Sequence, residues 1–226
     1  MTRFNNVYVV VAPSGTGKTT LNNKLLREYP EQIEMSVSCT TRKIRPSETE
    51  GVDYHFITKE KFENQVSSHE MLEWADVHGN LYGTTIQEIN RISLTGKKIL
   101  LEIDYQGWKQ AKKIISDAIA VFILPPSLEE MWRRLEGRGT DSLQVRWKRL
   151  QSAKKEFESS SDYEFFIVNE TLESAYLALS DLIILGKNPP LSKDAALEMT
   201  RKFLFEFENA SWIKQIEKQV LEGKHD

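Results

Sequence analysis

The stretch Ala12-Pro13-Ser14-Gly15-Thr16-Gly17-Lys18-Thr19-Thr20 carries the densest chemistry in the chain. Small residues turn the backbone, and a lysine and two hydroxyls follow at once. In such a loop successive backbone N–H groups form a concave nest for phosphate oxygens. A helix starting near Lys18 would add its positive dipole end. In a phosphate-binding P-loop, Lys18 reaches the β- and γ-phosphates and the Thr19 hydroxyl sits on Mg²⁺. The strict pattern opens with Gly, and here Ala12 stands in that place. The plain alternative is a loop that only joins two elements.

The flanks favour the phosphate reading. Val7-Tyr8-Val9-Val10-Val11 is an unbroken apolar run, read as a buried strand. Leu21, Leu25, Leu26 and Tyr29 recur at helical spacing, so residues 20–32 read as a helix ended by Pro30. Strand, loop and helix stand in the order a P-loop needs.

Other polar groupings are open to two readings. Ser36-Val37-Ser38-Cys39-Thr40-Thr41-Arg42-Lys43-Ile44-Arg45-Pro46-Ser47-Glu48 is a solvated loop or an anion site, since arginine offers a planar fork matched to phosphate. Glu73, among apolar neighbours, either faces solvent or is held by specific donors. Arg133, Arg134, Arg138, Arg146 and Arg149 form a solvated basic helix pair or a lid that brings charge over a transferring phosphoryl group. Glu102 and Asp104 end a buried strand, residues 97–104, and share a face if that strand is regular.

Composition sets the limits. The chain has 226 residues, 40% hydrophobic and 28% charged, which suits one globular domain or one core with insertions. A net charge of −3 argues against general nucleic-acid binding. A single cysteine, Cys39, excludes an internal disulfide and a cysteine-rich zinc site. No apolar run approaches the roughly 20 residues that span a bilayer. Residues 1–6 lead straight into the first strand without room for a signal peptide, so a cytoplasmic protein without membrane contact is expected.

Further elements follow from patterning. Residues 51–57 alternate like a strand, and 59–66 read as a short helix. Residues 71–77 and 81–85 read as strands around a Gly79-Asn80 turn. A helix closes at Gly96, and another is expected over 107–116. Residues 118–124 form a core strand, Ser127 caps a helix running through Arg134, and 163–169 and 171–185 read as strand and helix. After the break at 186–190, residues 194–207 and 211–221 read as two helices. They either cover the core or make an oligomer contact, which leaves monomer or homo-oligomer undecided.

The ordered blocks Ala12–Thr20, Ser38-Cys39-Thr40-Thr41-Arg42…Arg45, Glu48…Gly51…Asp53-Tyr54-His55-Phe56, Leu72-Glu73-Trp74-Ala75…His78-Gly79-Asn80-Leu81-Tyr82-Gly83-Thr84, Ile103-Asp104…Gln106-Gly107, Pro125-Pro126-Ser127, Arg134–Thr140 and Val168-Asn169-Glu170 resemble guanylate kinases. The resemblance covers about residues 7–185. It implies an α/β P-loop NTPase core, a parallel sheet flanked by helices, with an inserted mixed α/β GMP-binding subdomain and a helical lid. The implied division is 1–35, 97–126 and 162–186 for the core, 36–96 for the GMP-binding subdomain and 127–161 for the lid. Residues 187–226 form a C-terminal helical extension of unknown role.

It also implies the reaction ATP + GMP ⇌ ADP + GDP, with dGMP as a second acceptor, in purine nucleotide metabolism. Mg²⁺ accompanies ATP, held by Thr19 and by Asp104, the latter through water. ATP falls to Ala12, Pro13, Ser14, Gly15, Thr16, Gly17, Lys18, Thr19 and Thr20, with Arg134, Asn169 and Glu170. GMP falls to Ser38, Arg42, Arg45, Tyr54, Glu73, Tyr82, Gly83, Thr84, Glu102 and Asp104. Glu73 would accept N1–H and the 2-amino group of guanine, helped by Ser38 and Thr84. Lys18, Arg45, Arg138 and Arg149 are the implied catalytic residues, and Arg146 is the arginine assigned to solvent.

Three positions depart from the family pattern: Ile44 for Pro, Ser47 for Gly and Glu102 for Asp. The Ile44 and Ser47 changes are expected to loosen the turn around Arg45. Two rivals are a kinase for another nucleoside monophosphate and a non-catalytic binding module of the same fold. The intact Gly17-Lys18-Thr19 argues against the module, and Glu73 beside Ser38 and Thr84 argues for guanine.

Overall fold

A computed structural model describes residues 6–77, 79–137 and 141–223. In chain order the elements are β1 (Val7–Val11), α1 (Lys18–Glu28), β2 (Ile33–Met35), β3 (Cys39–Thr40), β4 (His55–Phe56), α2 (Lys59–Ser67), β5 (Met71–Val77), β6 (Asn80–Thr85) and α3 (Ile86–Thr95). Then come β7 (Lys98–Leu101), α4 (Tyr105–Ala111), β8 (Ile119–Leu124), α5 (Leu128–Glu136), α6 (Leu143–Glu158), β9 (Phe165–Val168), α7 (Leu172–Ser180), α8 (Lys193–Asn209) and α9 (Ser211–Glu222). The architecture is the expected mixed α/β one, with parallel strands flanked by helices. The chain gathers into two compact units, Met1–Val10 with Leu26–Ile119 and Val11–Leu25 with Ala120–Asp226.

In the first unit β7 lies between β1 and β2, parallel to both. Val9, Val10, Ile99, Leu100 and Leu101 are fully buried, so these strands read as unbroken apolar runs rather than alternating ones. A second sheet runs β4-β3-β6-β5. Its β3–β4 pair is parallel, and β3–β6 and β5–β6 are antiparallel. Cys39, Phe62 and Met71 form its small core, with Ile57, Val66 and Leu81 packed around them. Helix α3 starts at Thr85, whose side chain accepts from Glu88 N, and stops at left-handed Gly96.

In the second unit β8 and β9 pair in parallel, with Val121 opposite Phe165 and Leu124 opposite Val168. Ser127 caps α5 by accepting from Glu130 N, the serine-to-glutamate spacing of a capping box. Phe122 is surrounded by Tyr163, Phe157 and Phe166, at ring-centroid distances of 4.9, 6.2 and 6.2 Å.

The last two helices cover this core. Phe203 and Phe207 of α8 lie 5.2 and 6.3 Å from Phe157 of α6. Ser160 and Thr200 share a buried hydrogen bond, and Lys154 reaches Glu208. Helix α8 of the extension thus packs on this core.

Several elements are shorter than their patterns. Only His55–Phe56 of the 51–57 run is strand, because Gly51 is left-handed and its N–H turns back to Tyr54 O. Strand β7 ends at Leu101, so Glu102 and Asp104 do not share a regular strand face. Asp104 instead caps α4, which begins at Tyr105 and ends at Ala111. Helix α7 ends at Ser180, and Asp181–Leu185 widen into a π turn before left-handed Gly186.

Phe203 is 6% exposed within this aromatic packing. Phe203→Ala should destabilise the protein by about 3 kcal/mol, the usual cost of emptying a phenylalanine site. A denaturant midpoint shift is the measurement that checks it.

Candidate active site

Glu73 is the polar residue the first unit is most closely fitted around. It is 7% exposed, on a strand whose first three residues are all buried. An alternating strand cannot bury three in a row. The register explains it: Met71 faces Thr85, but Glu73 faces Thr84, so β5 carries a bulge at Leu72. The bulge turns Glu73 inward. There Oε1 accepts from both Thr84 N and Thr84 Oγ1, each at 2.8 Å. Thr84 Oγ1 also lies 3.0 Å from Ser38 Oγ. Since the single Thr84 hydroxyl proton goes to Glu73, Ser38 is the donor in that pair. Val37 N donates to Glu88 Oε1, which ties the segment leading to Ser38 to α3.

Burial is the largest influence on the Glu73 carboxyl and pushes it up to about 7. The two Thr84 bonds oppose that rise, and the charge of Asp104 adds to it. Gly83, assigned above to a nucleotide, has a packing role here. A Cβ there would meet Glu73 O at 2.5 Å and Trp74 Cβ at 2.8 Å.

A cationic cluster lies in the same unit. Arg42 donates through Nε to Tyr82 Oη at 3.1 Å, and through both terminal nitrogens to Glu48 at 2.9 and 2.8 Å. Its guanidinium stands 5.6 Å from the Tyr54 ring and 5.7 Å from Phe56. Tyr54 and Tyr82 meet edge to face at 5.8 Å. Glu48 also accepts from Arg45 N at 2.8 Å. The Arg42 bonds are the first cause holding its carboxyl down at about 2.

Residue-type reasoning missed Glu48 as a site residue, although its spacing from Arg42 and Arg45 was a usable signal. Around Ser47 the backbone forms a closed turn. Glu48 N reaches Arg45 O at 3.0 Å, closing a turn with Pro46 and Ser47 at its centre. The Arg45 side chain is exposed. Glu102 lies close enough to Tyr54 to add to the upward push on that phenol, which burial chiefly causes. Asp104 Oδ1 accepts from Gln106 N and Gly107 N at 2.9 and 2.8 Å.

The second unit holds the P-loop. Gly15 and Gly17 have φ of 91° and 90°, which is why side chains are absent there. Thr16 Oγ1 and N both reach Pro13 O, at 2.7 and 3.2 Å. Ala12 has negative φ, so its methyl group suits the turn out of β1. Lys18 is the first residue of α1, followed by Thr19 and Thr20, both exposed.

Asn169 is 4% exposed, and its Nδ2 donates to Thr16 O at 2.6 Å. It therefore props the loop from below. Arg134 donates to Asn169 O at 3.1 Å and to Glu130 at 2.8 Å. Arg149 donates to Ser14 Oγ at 3.1 Å and pairs with Asp141 at 3.2 Å. Arg146 is not left to solvent. It pairs with Glu136 at 3.0 Å and lies 5.5 Å from the Trp132 ring, pinning α6 to α5. Glu170 is exposed beside a cavity of about 330 Å³ lined by Phe166, Val168, Ser174 and Leu191. Arg138 lies outside the described residues.

Two kinds of chemistry are thus built: a buried carboxylate with a cationic and phenolic cluster in one unit, and a phosphate nest with lysine and arginines in the other. The sequence profile described as guanylate kinase matches residues 4–184. A guanylate kinase of Chromobacterium violaceum is 46% identical over 178 residues, covering 79% of this chain and 84% of that one. One of Shewanella frigidimarina is 45% identical over 183 residues, covering 81% and 88%. The crystal structure of guanylate kinase from Anaplasma phagocytophilum superposes with a TM-score of 0.61 at 32% identity, covering 83% of this chain and 87% of that one.

A carbon-13 NMR titration should place the Glu73 carboxyl midpoint near 7. Thr84→Val removes one of the two bonds that favour the ionised form and should move that midpoint upward. A midpoint near 4.5 in the wild type would contradict the burial account.

Proposed function

The chain belongs to the guanylate kinase family, and from that premise we propose how its residues divide the transfer of the γ-phosphoryl group of ATP to GMP. One observation carries the division. Glu73 presents a buried, oriented carboxylate in the same unit as Arg42, Tyr54 and Tyr82, so one end of that site suits a base and the other a phosphate.

Guanine offers N1–H and its 2-amino group as adjacent donors, and adenine does not. Glu73 accepts that pair, with Ser38 and Thr84 completing the polar wall. A base lacking the donors would leave buried polar groups unpaired, which is heavily penalised. Arg42, Arg45, Tyr54 and Tyr82 hold the GMP phosphate. Glu48 keeps Arg42 in one orientation and fixes the backbone of Arg45, so the exposed Arg45 side chain is free of that task and can meet developing charge.

On the donor side the nest of residues 12–17 takes the ATP phosphates and Lys18 reaches their outer oxygens. Arg134 and Arg149 approach from α5 and α6, and Arg138 is assigned with them. A GMP phosphate oxygen attacks the γ-phosphorus in line, the bond to the β–γ bridging oxygen breaks, and ADP leaves. No protein nucleophile is needed, so catalysis is positioning and charge neutralisation. Residues 36–96 as acceptor subdomain and 127–161 as lid are part of this proposal.

Magnesium fits the donor set. Among the described residues no three His, Cys, Asp or Glu side chains gather as a metal cluster. A nucleotide-borne Mg²⁺ does not need one, since it keeps waters and takes most of its ligands from phosphate. The Thr19 hydroxyl would be its protein ligand. Asp104 would act through water by Oδ2, because Oδ1 is engaged in capping α4. When bound, Mg²⁺ supplies charge neutralisation on the β- and γ-phosphate oxygens.

The proposal includes dGMP as a second acceptor and a cytoplasmic location. Among the described residues no helix is long and apolar enough to cross a membrane.

A coupled assay should show GDP formed from ATP and GMP, and no turnover with AMP, CMP or UMP would approach it. Lys18→Ala should lower kcat about a thousandfold with the fold retained, as loss of a charge that acts in the transition state does. Glu73→Ala should raise the KM for GMP far more than that for ATP. The KM for GMP should climb as pH falls below about 7, since protonated Glu73 no longer accepts both donors, and the KM for ATP should not follow. Equal effects on both nucleotides would overturn the assignment of Glu73.

A further inference from the structure

Gly107 lies inside α4, where glycine is among the poorest residues. Its φ is not positive, so backbone conformation does not demand glycine. Space does. A Cβ at this position would stand 2.9 Å from Glu73 Oε2, 3.2 Å from Ile103 Cβ and 3.4 Å from Glu73 Cδ.

The surroundings decide what would move. Helix α4 is fastened to β5 one residue beyond Glu73: Gln110 Oε1 accepts from Trp74 N at 3.2 Å, and Gln110 Nε2 donates to Trp74 O at 2.8 Å. The side-chain amide thus behaves like a neighbouring strand. At its other end the helix is capped by Asp104, which accepts from Gly107 N itself. Retreat of the helix would break these bonds. The other boundary of the carboxylate is Thr84, which holds Oε1 through two hydrogen bonds. Of the three atoms nearest a new methyl group, Glu73 Oε2 is the closest and ends a flexible side chain, so it is the one that gives.

We propose that Gly107 is a specificity-determining position: its bare backbone leaves Glu73 room to set both carboxylate oxygens toward two adjacent purine donors. The inference rests on the reading of Glu73 as the base acceptor. With a methyl group at residue 107 the carboxylate rotates or lifts, and its two-point contact loses alignment. The contact to the 2-amino group is what separates guanine from hypoxanthine. Discrimination between GMP and the nucleotide lacking that group should therefore fall.

The experiment compares kcat/KM for GMP and for IMP in Gly107→Ala, Glu73→Ala, Glu73→Asp and the Glu73→Asp/Gly107→Ala double variant. The KM for ATP and the melting temperature serve as controls. Gly107→Ala should lower the GMP-to-IMP ratio about tenfold, as loss of one hydrogen-bonded feature does, with the KM for ATP unchanged. In the Glu73→Asp background the shorter side chain withdraws from the methyl group, so the same change should cost less than about threefold, the non-additivity expected of touching residues.

An unchanged ratio in Gly107→Ala, with a collapsed ratio in Glu73→Ala, overturns the inference and leaves the reading of Glu73 standing. An unchanged ratio in both overturns that reading as well. If Gly107→Ala fails to fold while the double variant folds, the clash with Glu73 is supported. If both fail to fold, or if Gly107→Ala costs the same in both backgrounds, the inference is wrong.

Discussion

A carboxylate taken out of water must be held by donors or change its protonation, because an unpaired buried charge costs several kcal/mol. Much of the first unit is arranged around that constraint at Glu73. The bulge at Leu72 turns the residue inward, and Thr84 supplies two donors to one oxygen. Ser38 then has a defined role as donor to Thr84. Gly83 lets β6 lie close enough for Thr84 to reach, and Gly107 spares the second oxygen a Cβ at 2.9 Å. The satisfaction is partial, which is why the carboxyl sits near 7 instead of in the ordinary range.

The same unit treats positive charge in the opposite manner. Arg42 is over-supplied with acceptors: Glu48 takes both terminal nitrogens, and Tyr82 takes Nε. The ion pair gives up part of the attraction Arg42 has for a phosphate and fixes its direction in return. Arg45 donates to Glu48 through its backbone N–H, and its side chain is exposed. Two arginines three residues apart thus meet one carboxylate differently, one through its guanidinium and one through its backbone.

In the second unit the constraint is backbone. Two left-handed glycines shape the loop, and Asn169 supports it from below through Thr16 O. Arg149 touches Ser14 from α6, a helix locked at its far end by Phe203 and Phe207 of the C-terminal extension. Tertiary packing thereby joins a segment without family motifs to the helix whose Arg149 reaches the loop.

The sequence by itself determined what depends on local rules. The P-loop was legible because its glycines, lysine and threonine are adjacent and its flanks are periodic. The caps at Ser127 and Gly96, the β5–β6 hairpin and the two final helices were legible for the same reason. Arg42, Arg45 and Glu73 were legible as chemistry, and family order made their pairing specific. Tertiary structure alone decided the rest. Asp104 became a helix cap because β7 stops at Leu101, three residues before its acidic end. Asn169 proved to be a prop under the loop, and Arg146 moved from solvent to a pin between α5 and α6. The bulge at Leu72, the Glu48 clamp, the Gln110 bridge and the space at Gly107 join residues that are six to 36 positions apart in the chain. No period or motif encodes such meetings, because they exist only once packing has brought the surfaces together and left some polar atoms to be satisfied.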